Sequence, residues 1–191
     1  MQPHAIFFIG PQGSGKGTQA KILAQKLGFF YWEMGGILRE VSAQNNPLGQ
    51  KVKKLIDSGI LLEDEDLYAV VELRLNQISQ SQGVIFDGIP RRLGQAEFLM
   101  NFLRSQGRKN FTTVFIDLPK EESLKRLLLR AEREKRADDT RETIEFRLKQ
   151  YYQDTLPVVN YLKQQTNFVE IDGRPSVEKV TNEINNKLSL L

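Results

Sequence analysis

The chain has no cysteine and one histidine among its 191 residues. The first absence excludes disulfides, thiolate zinc sites and thiol catalysis. The second rules out a His-based triad deeper in the fold, since His4 reads as a solvated N-terminal residue. No apolar run approaches the roughly 18 residues of a membrane span, and "MQPHAIFFIG" has no basic segment ahead of its short run. A cytoplasmic protein with no membrane partner is expected. A dominant charge sign is also missing: 27 Lys and Arg face 24 Asp and Glu, a net charge of +3. That is too mild to demand a nucleic acid, although smaller polyanions fit. Repeats, low-complexity tracts and long linkers are absent. At 40% apolar, the chain is most economically one domain that buries a core and carries small inserts.

Short apolar runs alternate with stretches of helical period. The runs are "AIFFIG" (5–10), "FFYW" (29–32), "GVIFD" (83–87), "TTVFID" (112–117) and "NFVEID" (167–172), each of strand length and bounded by Gly, Asn or Asp. Five buried strands are expected. Ala20, Leu23, Ala24 and Leu27 mark a helix stopped by Gly28. Leu67, Val70, Val71, Leu75 and Ile78 mark another, opened by the acidic "EDED". Ile144, Leu148, Tyr151 and Tyr152 mark a third, with Asp139 and Glu142 spaced as a capping box. Val177, Val180, Ile184 and Leu188 form a fourth after Pro175 and Ser176. Such alternation predicts an α/β fold: a parallel sheet of five strands with helices on both faces.

Three stretches carry chemistry. In "GPQGSGKGTQA" (10–20) a strand ends at Ile9, glycines follow, and a helix begins near Lys16, the context that gives a Gly-x-x-x-x-Gly-Lys match its meaning. Glycines let backbone N–H groups wrap phosphate oxygens, the helix N-terminus favours negative charge, and Lys16 reaches the outer phosphates. Thr18 is placed to cap the helix or approach a metal. In "GVIFDGIPRRLGQAE" (83–97), Asp87 ends a buried strand, where loops of a parallel sheet surround a ligand. There it would hold Mg²⁺ through water, with Arg91 on a second phosphate; taken alone, "DG" is equally a hairpin signal. The third stretch is "RLLLRAEREKRADDTRETIEFR" (126–147). Alone, such an arginine run is a solvated face. Beside a phosphate loop it supplies cations for a phosphoryl group in transit.

Together these motifs resemble the adenylate kinases and the wider nucleoside monophosphate kinases, in order along nearly the whole chain. "GPQGSGKGTQ" is similar to their P-loop, in which glycine follows the lysine. "FDGIPRRLGQAE" is similar to their "DGFPR" segment with its downstream glutamine, and "RADD" (136–139) resembles the short-lid members, for which no zinc is expected. The resemblance implies a three-layer α/β/α P-loop domain with a helical acceptor-binding insert at 34–63 and a lid at 130–140. It implies a monomeric phosphotransferase moving a phosphoryl group from ATP to AMP with Mg²⁺. Gly13, Ser14, Gly15, Lys16, Gly17 and Thr18 would bind the ATP phosphates, with Arg126 and Arg174 at the adenine. Met34, Gly35, Arg39, Leu62, Gly88, Arg91, Gln95, Arg136 and Arg147 would bind AMP, with Gln95 at its base edge. Arg91, Arg130, Arg136 and Arg147 would gather with Lys16 on the transferring group, and Thr18 and Asp87 would sit by the metal.

The chain departs from that family where "STGDLLR" becomes "EMGGILR" (33–39). Met34 stands for a threonine, Gly36 for an aspartate associated with the hydrated metal, and Ile89 for the phenylalanine of "GFPR". These changes are either tolerated drift or a change of acceptor. A broadened or pyrimidine acceptor is therefore one rival, and a nucleotide-binding protein with reduced catalysis is another. A guanine-reading Asn-Lys-x-Asp segment is absent, which argues against a regulatory GTPase.

Overall fold

The computed structural model describes residues 4–58, 64–134 and 140–190. Strands β1 (Ala5–Ile9), β2 (Phe30–Glu33), β3 (Val84–Asp87), β4 (Phe111–Asp117) and β5 (Asn167–Asp172) form one parallel sheet in the order β2-β3-β1-β4-β5. Each lies within a residue or so of the run that predicted it. The expectation of five buried strands holds for the three central ones only. Of β2, Trp32 alone is buried, and of β5, Ile171 alone, because an outer strand is covered by fewer neighbours.

Helices α1 (Lys16–Leu27), α2 (Met34–Ser42), α3 (Pro47–Ser58), α4 (Asp64–Leu75), α5 (Leu93–Ser105), α6 (Lys120–Glu134), α7 (Arg141–Gln150), α8 (Leu156–Gln165) and α9 (Val177–Lys187) connect and cover the strands. Helix α1 stops as expected, with Gly28 left-handed at φ 68° and its N–H on Ala24 O. Helix α3 starts at Pro47, whose fixed φ suits a first helical turn, and Asn46 Oδ1 accepts the Gly49 N–H at 2.8 Å. Helix α7 is capped one residue later than the expected Asp139: Thr140 Oγ1 accepts the Thr143 N–H, and Asp139 lies outside the described residues. A π-helical turn, Tyr151–Thr155, joins α7 to α8.

Alternate residues of the central strands feed opposite faces. Ile6, Phe8, Ile85, Val114 and Ile116 pack with Leu23 of α1 and Val180 and Ile184 of α9. Phe7, Ile9 and Phe86 pack with α2, α4, α5 and α8 on the other side, where the Phe7 and Phe86 rings stack with centroids 5.4 Å apart. Each such aromatic is stabilised by about 1.5–3 kcal/mol on leaving water. Three layers result. Arg108, 1% exposed, ties the loop after α4 to the loop after α5: its guanidinium donates to Ser79 O at 2.8 Å and to Gln106 Oε1 at 2.6 Å. His4 is exposed, as expected, yet its Nδ1 accepts the Lys109 N–H at 3.0 Å.

Candidate active site

The turn between β1 and α1 makes a cradle of backbone donors. Gly13 and Gly15 are left-handed, at φ 84° and 88°, and a Cβ at Gly10 would meet Ile116 O at 2.4 Å. No side chain caps α1 and no acid stands in its first turn. Its leading N–H groups thus have no partner within the helix, which is the condition for holding an anion. Ser14 is buried, and its Oγ and Gln12 Oε1 have no hydrogen-bond partner among the described residues. Thr18 is exposed.

The end of β3 closes on this loop. A Cβ at Gly17 would lie 2.9 Å from Asp87 Oδ2, so the carboxylate rests against the first turn of α1. Sequence reasoning missed its partner, Tyr31, whose hydroxyl donates to Asp87 Oδ2 at 3.0 Å. Burial first, and the Asp87 charge second, push the Tyr31 phenol well above its ordinary range. It therefore remains a donor at every working pH. Gly88 follows at φ 88°, with Met34 Cβ 3.3 Å from where its Cβ would be. Arg91 is folded back, its Nε donating to Gly88 O at 2.9 Å. A cavity of about 30 Å³ between the two loops is lined by Gly10, Gln12, Lys16, Gly88, Arg91 and Tyr151, among others.

Cations converge here. Burial lowers the Lys16 pKa; Asp87 opposes the shift, and Arg91 and Arg130 add to it. Arg91 is likewise lowered by burial, raised by Asp87 and lowered by Arg147. Helices α6 and α7 thus bring Arg130 and Arg147 into the field of the phosphate loop, and Gln12 Nε2 donates to Arg147 O at 3.5 Å. Mutually repelling cations around uncapped N–H groups suit a polyphosphate. The residues also fit a hydrated Mg²⁺, which is held through a carboxylate, waters and substrate phosphates. Among the described residues no group of three His, Cys, Asp or Glu could hold a metal unaided.

The remaining expected residues fall on either side. Arg126 bonds Glu122 Oε1 (2.9 Å), Gly173 O (2.9 Å) and Arg174 O (3.0 Å) along its edge. A planar guanidinium bonded in its plane keeps its faces for stacking. Arg174 pairs with Asp172 at 2.9 Å, lowering that carboxyl below its usual range through hydrogen bonds. Gln95 is buried: its Oε1 accepts the Arg91 N–H at 2.8 Å, and its Nε2 donates to Asp64 Oδ1 at 2.9 Å. Asp64 is a second partner the sequence did not reveal. Met34 and Ile89 belong to the core, and Met34 Sδ accepts the Trp32 Nε1–H at 3.4 Å. Gly35 and Gly36 open α2, with Arg39 two thirds of the way along it. Leu62 and Arg136 lie outside the described residues.

A parallel α/β/α fold whose phosphate loop, strand-end carboxylate and arginines meet at one edge defines a P-loop phosphotransferase. A family profile described as Adenylate kinase matches residues 8–167. The adenylate kinase of Thermus thermophilus is 40% identical over 176 residues, 92% of each chain. That of Hyphomonas neptunium is 40% identical over 179 residues, 94% of this chain and 95% of its own. Adenylate kinase 1 of a Nostoc species is 39% identical over the same length, with the same coverage. The chain belongs to the adenylate kinase family.

Proposed function

We propose that this protein transfers the terminal phosphoryl group of Mg-ATP reversibly to AMP, giving two ADP. The observation that carries this reading is the uncapped N-terminus of α1, with Lys16 and Arg91 lining one cavity and the Asp87 carboxylate against the helix's first turn. Loop amides from Gly13 to Thr18 and Lys16 would hold the donor phosphates, Arg126 would stack on the donor base, and Arg174 would line its edge. Arg39 and Arg91 would hold the acceptor phosphate, with Gly35 and Gly88 admitting the nucleotide to the backbone. The acceptor base would lie near Met34 and Gln95. Asp87 and the Thr18 hydroxyl would hold the hydrated Mg²⁺, which neutralises charge on the donor phosphates when bound. No base is required, because the attacking phosphate oxygen is already anionic; positioned cations stabilise the group in transit.

Residues 34–63 would act as the acceptor-binding insert and 130–140 as the lid, with Leu62 and Arg136 contributing from those segments as the resemblance implies. Their closure would exclude water and prevent ATP hydrolysis. A monomer in the cytoplasm, without a nucleic-acid partner, completes the reading; among the described residues no helix is long and apolar enough to cross a membrane. The test is Lys16→Met beside Arg91→Ala. Each should cut turnover about a hundred- to a thousandfold while far-UV circular dichroism stays native. Retention of turnover in both would overturn the mechanism.

A further inference from the structure

The segment "EMGGILR" builds one small device at the mouth of the proposed acceptor site. Glu33 ends β2 opposite Asp87 in the strand register. Its Oε1 accepts from Arg39 Nη2 at 2.7 Å, across the first turns of α2. The two glycines between them clear the space. A Cβ at Gly35 would press on Arg39 Nη1 at 3.2 Å, and one at Gly36 would touch the Glu33 carboxyl at 3.4 Å. Both side chains are about half exposed, so the pair can exchange with a soluble anion. A carboxylate and a phosphate monoester offer a guanidinium the same kind of oxygen pair.

We infer that Glu33 is a positioning residue that sets acceptor affinity, its carboxylate occupying Arg39 until the acceptor phosphate displaces it. This rests on the reading of Arg39 as an acceptor-phosphate group. Exposed pairs of this kind are weak, so the pair tunes affinity and leaves binding possible. Removing the carboxylate removes a competitor and a negative charge beside the incoming phosphate.

The experiment measures KM for AMP, KM for ATP and kcat for Glu33→Gln, Glu33→Ser, Arg39→Ala and Glu33→Gln with Arg39→Ala, with AMP binding by calorimetry alongside. Both Glu33 variants should lower KM and Kd for AMP about two- to fivefold, with kcat and the KM for ATP unchanged. Arg39→Ala should raise the KM for AMP, and in that background Glu33→Gln should have no effect. If Arg39→Ala raises KM but neither Glu33 variant lowers it, the role of Glu33 is refuted while the acceptor site stands. If Arg39→Ala leaves KM unchanged, the assignment of Arg39 fails and this inference falls with it.

Discussion

Replacing Tyr31 by Phe removes one hydroxyl and leaves the ring in place. That hydroxyl holds Asp87 Oδ2 at 3.0 Å and lies 3.5 Å from Gly17 O, bridging the carboxylate to the phosphate loop. A hydrogen bond to a charged group contributes about 1.5–3 kcal/mol, and a half-buried donor belongs at the lower end. About 1.4 kcal/mol is a tenfold change in an equilibrium. Tyr31→Phe is therefore expected to weaken the apparent Mg²⁺ affinity roughly tenfold, with partial recovery of rate at high Mg²⁺. The phenol is raised, so its contribution to stability is whole below its unfolded pKa of 10.0 and is lost as pH rises through the folded value. The stability gap between wild type and variant should accordingly be flat from pH 6 to 9. Initial rates titrated with Mg²⁺ at fixed ATP and AMP, with urea melts at several pH values, measure both. An unchanged Mg²⁺ dependence would refute the view that Tyr31 positions Asp87.

Gly88→Ala forces a side chain into φ 88° with Met34 Cβ 3.3 Å away; it should cost about 1–2 kcal/mol in urea unfolding and raise the KM for AMP. Arg108→Ala leaves the Ser79 carbonyl and the Gln106 amide oxygen short of a donor and opens a cavity. It should lower stability by about 2–4 kcal/mol in urea with kcat unaltered. Arg108→Leu, which refills the volume, should recover part of that loss.

Local chemistry explains what the sequence made legible. Gly28 and Ser176 end and begin helices through bonds with near neighbours, and the glycines around Lys16 sit between a strand and a helix whose patterns are themselves local. The N-cap of α7 was misplaced by one position because Asp139 and Thr140 are both competent caps. Partners set by strand register were hidden. Tyr31 and Glu33 reach the site because β2 lies parallel to β3, with Glu33 opposite Asp87, and no spacing in the sequence encodes that pairing. Asp64 meets Gln95 across 31 positions, and its acidity read only as a helix-opening charge. Met34 and Ile89 read as acceptor-site departures, and both are also buried: Met34 lies against Trp32, and Ile89 lines the cavity beside Gly88 and Arg91. Burial of that kind depends on which helix covers the strand.

The most direct test is a coupled assay of nucleoside diphosphate formation with Mg-ATP and AMP, dAMP, CMP, UMP or GMP, with Lys16→Met as the control. The account predicts strong preference for AMP, two ADP formed per AMP consumed, and loss of the signal in the variant. Preference for CMP or UMP, or the absence of any lysine-dependent activity, would contradict it.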